Sequence, residues 1–220
     1  MRELLKKNKW TLVITSVIIL LPIAVGLLLW DKLPERVPFH WGINGEVDGW
    51  ASKTQAVFLM PLMLLAVQWL CVVATTLEPK GKEATATKMM GVVLWIIPLL
   101  NILLNVMMYL AAFGREVNAA AVLPLVFGVL FVVMGNYLPK CKQSYTMGIK
   151  LPWTLNDEAN WNATHRLAGK LWVVGGLLTM PCALLPSVAA FVTMMAVLLV
   201  MCIIPTVYSY RFYKKNKKEE

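Results

Sequence analysis

Long apolar runs without a charged residue follow one another along the chain. They cover Thr11 to Trp30, Ala56 to Thr76, Met89 to Phe113, Ala119 to Leu138 and Leu171 to Tyr210. A helix needs about 20 apolar residues to cross a bilayer, so each of the first four runs predicts one span. The last run has room for two. Pro186 followed by Ser187 marks the break, because proline disfavours helix at the residue before it. The pattern therefore predicts six transmembrane helices.

Composition agrees with this pattern. Of the 220 residues, 59% are hydrophobic and 15% are charged, which is too little polar surface for a soluble domain. We predict an all-α fold, a polytopic membrane helix bundle, with residues 1–220 in a single bundle and the protein in the cell membrane. Pro79 and Gly81 mark Glu78 to Lys88 as a polar linker between two spans.

Lysine and arginine are distributed unevenly between alternate connections. Four of the 21 are Lys32, Arg36, Lys53 and Arg115, and the remaining 17 lie at the two termini and in the other alternate connections. Positive charge concentrates on the cytoplasmic side of membrane proteins, so both termini are predicted to lie inside. This topology and contact with anionic lipid headgroups account for the net charge of +9. The basic residues form no stripe with interleaved aromatics, so direct binding to nucleic acid is not expected.

The membrane core contains no Asp, Glu, Lys, Arg or His within any of the charge-free runs. Ionisable groups inside a membrane commonly mark ion and proton pathways, so their absence disfavours a pump. The intramembrane polar residues are Gln68, Asn101 and Asn105, and the two asparagines, four residues apart, face one direction. We expect them to form hydrogen bonds between helices. A small-molecule transporter or channel lined by these amides stays an alternative.

A turn-rich connection at residues 31–55 is predicted to lie outside the cell. Asn44 followed by Gly45 favours a hairpin turn with positive φ, and Asp48 followed by Gly49 favours a second turn. The loop is therefore expected to be ordered.

The same connection carries side chains of types that contact the membrane surface or ligate metals. Trp41 and Trp50 flank the turns and are expected at headgroup level or over the mouth of the bundle. His40, Glu46 and Asp48 are types that ligate metals, but one histidine and two carboxylates at this spacing are not a specific metal signature. We expect no metal and no cofactor.

A second long connection, residues 139–170, is predicted to lie in the cytoplasm and to lead into the fifth span. Thr154 or Asn156 is expected to cap a helix whose first turn carries Asp157 and Glu158, since acidic side chains favour a helix N-terminus.

One face of that helix contains aromatic residues. Trp161, His165, Ala168 and Trp172 recur at helical spacing. Tryptophans at this position are commonly interfacial anchors. His165 and Arg166 also suit phosphate headgroups, helix carbonyls or a cytoplasmic partner.

Each of the two loops carries a motif of spaced residues. The outer motif is P-x-x-x-P-x-H-W-x-x-x-G-x-x-D-G-W from Pro34 to Trp50. The inner motif, which is the more specific, is G-I-K-L-P-W-T-L-N-D-E-x-x-W-x-x-T-H-R-x-x-G-K from Gly148 to Lys170. Both motifs resemble those of the SdpI/YfhL family of bacterial immunity proteins. The resemblance implies protection against a secreted toxic peptide made by kin, and the founding type also sequesters a small cytoplasmic repressor at the membrane when toxin is present.

The resemblance suggests two groups of candidate contact residues. The candidates that face toxin or ligand are His40, Trp41, Asn44, Gly45, Asp48 and Gly49. The candidates for docking a cytoplasmic partner are Pro152, Trp153, Thr154, Trp161, Thr164, His165 and Arg166. The expected partners are the toxic peptide, a small repressor and membrane lipids.

An enzyme is a weaker alternative, for example a membrane-bound metallohydrolase. Its candidates are His40 with Asp48 outside and His165 inside, and the predicted topology places the two histidines on opposite faces of the membrane. The chain contains no zinc-protease, nucleophile-elbow, P-loop or dinucleotide-binding fingerprint. We therefore predict a protein that is not an enzyme.

Overall fold

The computed structural model describes residues 2–76 and 83–219. Within them the chain forms long helices, one short helix and a single two-stranded hairpin. The elements are α1 (Arg2–Leu28), β1 (Arg36–Trp41), β2 (Val47–Ser52), α2 (Lys53–Thr76), α3 (Glu83–Ala112), α4 (Ala119–Tyr137), α5 (Pro152–Asn156), α6 (Glu158–Thr179) and α7 (Ser187–Glu219). Two 3₁₀ turns, Leu138–Lys140 and Met180–Leu184, follow α4 and α6.

The six predicted spans are confirmed. Among the described residues, six helical segments have the length and apolar composition to cross a membrane: Asn8–Leu28, Lys53–Thr75, Met90–Ala112, Ala119–Lys140, Glu158–Leu184 and Ser187–Lys217. The predicted break between the last two is also confirmed, because the 3₁₀ turn ends at Leu184 and α7 begins at Ser187. The predicted linker falls partly at residues 77–82, outside the described residues. Its remainder belongs to α3, which begins at Glu83.

The chain divides into two compact units. The first contains α1, the hairpin, α2 and α3 from Met90, and the second contains α4 to α7. One bundle over residues 1–220 stays a prediction.

Hydrogen bonds from side chains connect the helices of the first unit. Asn101 donates from Nδ2 to the carbonyl of Ile19 at 2.8 Å, and Gln68 donates from Nε2 to Ser16 Oγ at 3.1 Å. The Tyr109 hydroxyl donates to the carbonyl of Pro22 at 2.8 Å. These bonds are the interhelical contacts expected of buried amides in a membrane.

Asn105 extends this polar core along α3. Its Nδ2 donates to the carbonyl of Asn101 at 2.8 Å and lies 3.0 Å from Asn101 Oδ1. Both asparagines are fully buried. The two side chains therefore act as a pair, as their four-residue spacing predicts.

Two glycine pairs bring α4 and α6 into close contact in the second unit. A Cβ at Gly176 would lie 2.5 Å from the carbonyl oxygen of Gly128, and a Cβ at Gly135 would lie 2.8 Å from that of Gly169. The pairs are seven residues apart on each helix and run in opposite directions, so the helices are antiparallel. Gly175 faces Met201 of α7 instead. Small residues allow this approach of backbones, which large side chains prevent.

The N-terminus of α6 differs from the prediction. Asp157 is the N-cap and accepts a hydrogen bond from the backbone N–H of Asn160 at 3.0 Å. Thr154 and Asn156 lie instead in α5, which begins at Pro152. A carboxylate caps at least as well as a hydroxyl and also interacts favourably with the helix dipole.

Candidate functional site

The outer loop is an antiparallel hairpin. Gly45 has φ +82°, and its N–H donates to the carbonyl of Gly42 at 2.9 Å. The Gly42 N–H donates to the carbonyl of Glu46 at 2.9 Å, and Asn44 Nδ2 donates to Glu46 Oε2 at 2.7 Å. The hairpin turn predicted at Asn44 and Gly45 is therefore confirmed.

The second turn, predicted at Asp48 and Gly49, is wrong. Both residues lie within β2, where the register shifts twice opposite His40. Phe39 is an extra residue on β1 and Asp48 is an extra residue on β2, so the two irregularities cancel. A Cβ at Gly49 would lie 2.7 Å from His40 Cβ. The glycine is needed for this close approach.

His40 and Asp48 contact each other across the hairpin. His40 Nδ1 lies 2.5 Å from Asp48 Oδ1, and the side chains are 71% and 54% exposed. The pair therefore sits on the surface of the hairpin, where a ligand has direct access to the imidazole.

The inner face of the hairpin packs on the outer ends of the helices of the first unit. Val37 is fully buried in a cluster that includes Leu33, Val57 and Tyr109, and Trp41 packs partly against it. This packing fixes the hairpin to the bundle. Trp41 therefore covers the end of the first unit, whereas Trp50 is 57% exposed.

Lys53 holds the base of the hairpin at the start of α2. Its ammonium lies 3.2 Å from Glu35 Oε1, donates to the carbonyl of Trp30 at 3.1 Å and lies 5.1 Å above the indole of Trp30. One cation thus ties together the end of α1, the entry to β1 and the first turn of α2.

The inner loop folds back onto α6. Trp161 is fully buried and donates from Nε1 to the carbonyl of Cys141 at 2.7 Å. Its indole stacks on the imidazole of His165, with the centroids 4.0 Å apart. His165 Nε2 accepts the N–H of Ile149 at 2.9 Å, and Nδ1 lies 2.8 Å from the carbonyl of Trp161. Since a carbonyl accepts and a backbone N–H donates, the imidazole is the neutral Nδ1–H tautomer.

Thr154 also stabilises this loop through hydrogen bonds of its hydroxyl. Its hydroxyl donates to the carbonyl of Ile149 at 2.8 Å and accepts the N–H of Leu151 at 2.9 Å. Gln143 Nε2 donates to the carbonyls of Thr154 and Leu155 at 2.9 and 2.8 Å. Hydrogen bonds thus connect α5 to the loop segment that precedes it.

A buried polar network joins α6 to α7. Asn160 Nδ2 donates to the carbonyl of Ser209 at 3.0 Å, and the hydroxyls of Ser209 and Thr164 both donate to Asn160 Oδ1 at 3.0 Å. Trp153 Nε1 donates to Ser209 Oγ at 2.7 Å. The network ties α5 and α6 to the last helix.

Next to this network is a cleft of about 850 Å³. The indole of Trp153 stacks on Tyr213 and tilts against Tyr210. The cleft is lined by Pro152, Trp153, Asn156, Asp157, Glu158, Ala159, Tyr210, Tyr213, Asn216 and Lys217. Sequence reasoning missed the α7 side of this cleft. The sequence feature that could have indicated it is the pair Tyr210 and Tyr213, three residues apart at the end of the last apolar run.

The structure divides the predicted docking residues into two sets. Thr154, Trp161, Thr164 and His165 are fully buried and shape the loop and its contact with α7. Pro152 and Arg166 are exposed and Trp153 is half-buried. The expectation that Trp161 anchors at the headgroups is wrong, because its indole is inside the loop.

The predicted candidates of the outer loop divide similarly. His40, Asn44 and Asp48 are exposed, whereas Trp41, Gly45 and Gly49 are half-buried and shape the hairpin. The described parts of the chain hold no group of three or more His, Cys, Asp or Glu side chains arranged for a metal ion.

Two family models match segments of the chain that contain the outer loop and the inner loop. Residues 140–209 match the SdpI/YfhL protein family. The predicted resemblance to that family is confirmed. The chain is 27% identical over 214 residues to "Immunity protein SdpI" of Bacillus subtilis (strain 168), covering 96% of this chain and 98% of that protein. Residues 17–65 match a domain of unknown function, DUF1648. No solved structure gave a significant match.

The matched segments correspond to structural parts described above. The SdpI/YfhL match begins at the 3₁₀ turn after α4 and covers the inner loop, α6 and α7 as far as Ser209. The DUF1648 match covers the second half of α1, the whole hairpin and the first half of α2. The six apolar spans and this relationship identify a multi-pass cell-membrane protein.

Proposed function

We propose that this chain is a membrane immunity protein that protects its cell against a secreted toxic peptide. The observation that carries the proposal is its similarity to the Bacillus subtilis immunity protein over nearly the full length of both chains. The similarity therefore includes the outer hairpin, the inner loop and the spans between them. This suits a protein whose activity requires both faces of the membrane.

The outer hairpin is the element proposed to meet the toxin. It is held by its packing against the helices of the first unit and by the cation of Lys53, and His40, Asn44 and Asp48 are exposed on its surface. The charge distribution predicts that this face is extracytoplasmic. A fixed hairpin loses little conformational entropy on binding, so the free energy cost of ordering it in a complex is small.

The test is survival of a sensitive cell. The chain is expressed in Bacillus subtilis cells that lack their own immunity protein, and the cells are challenged with the toxin that kills them. Cells carrying the chain should grow at toxin concentrations that kill cells with an empty vector. Unchanged killing by this toxin and by related peptide toxins, with the chain present in the membrane, would exclude the proposed function.

A second proposed role is docking of a small cytoplasmic repressor on the inner loop. Support comes from the exposed part of the inner motif, Pro152 and Arg166, together with the adjacent aromatic cleft around Trp153. A cleft lined by aromatic and charged side chains suits a protein contact with a hot spot at its centre. The buried residues of the motif would then act by shaping this surface.

Co-purification tests the repressor role. A repressor encoded beside the gene for this chain is co-expressed with the tagged chain, and the membranes are solubilised after toxin addition. The repressor should co-purify with the wild-type chain and with the Arg115→Ala control, which alters an exposed arginine predicted to lie outside. The repressor should not co-purify with the Arg166→Ala chain. Equal recovery from all three chains would contradict docking at this surface.

A further inference from the structure

Hydrogen bonding at the base of the hairpin determines which backbone groups face outward. The N–H of Lys53 donates to the carbonyl of Glu35 at 3.1 Å. Directly opposed residues in antiparallel strands alternate between pairs that exchange hydrogen bonds and pairs that point theirs away. Val37 and Ala51 are therefore a bonded pair. Pro38 and Trp50, the next pair along the ladder, direct their backbone groups to the two outer edges.

The two edges of the hairpin differ. On the β1 edge, Pro38 has no N–H to offer, and proline is a common means of blocking an edge strand against further pairing. On the β2 edge, the Ser52 N–H is occupied by Gln55 Oε1 at 3.1 Å. By the register of the ladder, the N–H and carbonyl of Trp50 point away from β1. At the level of the Pro38 and Trp50 pair, the edge with an outward N–H is therefore that of β2.

This open edge extends beyond the bulge towards the turn. Because the Gly42 N–H donates to the carbonyl of Glu46, the adjacent pair of Trp41 and Val47 again directs its backbone groups outward. Val47 and Trp50 thus each direct a backbone donor and acceptor outward, one on either side of the irregularity at Asp48.

The side chains beside the open edge define the chemistry of a partner. Trp50 is exposed, and the carboxylates of Glu46 and Asp48 are exposed near it. Within the part of the chain that the structure describes, neither carboxylate forms an ion pair with lysine or arginine; Asp48 pairs with the imidazole of His40, and Glu46 accepts a hydrogen bond from Asn44. The edge therefore offers an indole and two carboxylates to an apolar and a cationic side chain.

We propose that the outer edge of β2, from Val47 to Trp50, binds an extended segment of a basic peptide as a third strand. Peptides add to open sheet edges through main-chain hydrogen bonds, and neighbouring side chains supply specificity. The identification of this peptide with the toxin rests on the proposed function above. The strand addition itself rests on the hairpin alone.

Hydrogen exchange with a defined probe tests strand addition. The full chain in nanodiscs is mixed with an eight-residue peptide of alternating lysine and valine, and exchange is followed by mass spectrometry. We expect exchange at residues 47–50 to slow about tenfold and exchange at residues 36–38 to stay unchanged. The same peptide with alternate backbone nitrogens methylated should protect neither edge. Empty nanodiscs provide the baseline for adsorption of the probe to lipid.

Three outcomes would overturn the proposal: no protection, equal protection of both strands, or full protection by the methylated peptide. All three are read on the wild-type chain, so the test does not depend on a variant that folds.

Variants then separate backbone from side-chain contacts. Trp50→Pro removes the outward N–H and the indole, whereas Trp50→Ala removes only the indole, and Arg36→Pro removes an outward N–H from the β1 edge. We expect binding to be lost in the first, weakened in the second and kept in the third.

The toxin challenge distinguishes this proposal from the proposed function. If cells with the wild-type chain do not survive, the immunity function is refuted. Peptide binding to β2 is then still decided by hydrogen exchange in nanodiscs. Full survival with Trp50→Pro refutes strand addition of the toxin and leaves immunity standing.

Discussion

Gly148 lies directly against the imidazole of His165, so that a Cβ at residue 148 would be 2.6 Å from Nε2. The same nitrogen accepts the N–H of the next residue, Ile149. The inner loop therefore approaches α6 closely at a residue that has no side chain. Its backbone there has φ +106°, a conformation that favours glycine.

Gly148→Ala should destabilise the inner loop. The new methyl group meets His165 and Trp161, and the positive φ is strained for any residue with a Cβ. We expect a loss of about 1–3 kcal/mol, since overpacking and strain each cost about that much. Limited proteolysis of the purified protein should show faster cleavage between residues 141 and 151.

Gly91→Ala is the matched control, because a Cβ there meets nothing within 4 Å. It should leave the cleavage rate at the wild-type value. Equal rates for both variants would show that the loop does not depend on Gly148.

Gly176→Val should separate α4 from α6. A Cβ at residue 176 lies 2.5 Å from the carbonyl oxygen of Gly128 and 2.8 Å from the backbone nitrogen of Val132. Backbone cannot move aside as a flexible side chain does, so we expect a loss of about 1–3 kcal/mol. A lower thermal unfolding midpoint in detergent, relative to wild type and Gly91→Ala, is the measurement. An unchanged midpoint would contradict the close antiparallel packing.

Asn101→Leu tests whether the intramembrane amides are structural. The change removes the hydrogen bond to the carbonyl of Ile19 and the contact with Asn105, at a cost of about 0.6 kcal/mol and at most about 2. We expect slightly lower thermal stability and unchanged protection against toxin. Solute flux in proteoliposomes of the wild-type chain that Asn101→Leu abolishes would instead favour the transporter alternative.

Gly49→Ala should disorder the centre of the hairpin. The new Cβ would lie 2.7 Å from His40 Cβ, within the doubly bulged part of the sheet. We expect a cost of about 1–3 kcal/mol and faster hydrogen exchange at Val37 and Ala51. Exchange in α6 should stay unchanged and serves as the internal control. A hairpin that exchanges at the wild-type rate would show that the contact between Gly49 and His40 is unimportant.

The sequence predicted those features that depend on local composition. Runs of about 20 apolar residues predicted the spans, and Pro186 predicted the last break, because each depends on a property of the segment itself. Asn44 and Gly45 predicted the hairpin turn for the same reason, since positive φ is a local requirement.

Features that depend on distant contacts were not predictable in this way. Asp48 and Gly49 have turn composition, yet the pairing of β2 with β1 places them in a strand. Trp161 has the sequence position of an interfacial anchor, yet the loop after α4 folds over it. The partnership of Trp153 with Tyr210 and Tyr213 joins residues more than 50 positions apart, and no periodicity in one segment reports such a contact.

The most direct test of immunity is the toxin concentration that kills half of a sensitive Bacillus subtilis population. We predict that this concentration rises at least about tenfold in cells that carry the wild-type chain, as expected if each cell binds or excludes most of the toxin that reaches it. Gly49→Ala, produced to the same level in the membrane, should return it towards the value for an empty vector. An identical killing concentration for the wild-type chain and the empty vector, with the protein confirmed in the membrane, would contradict a role in immunity.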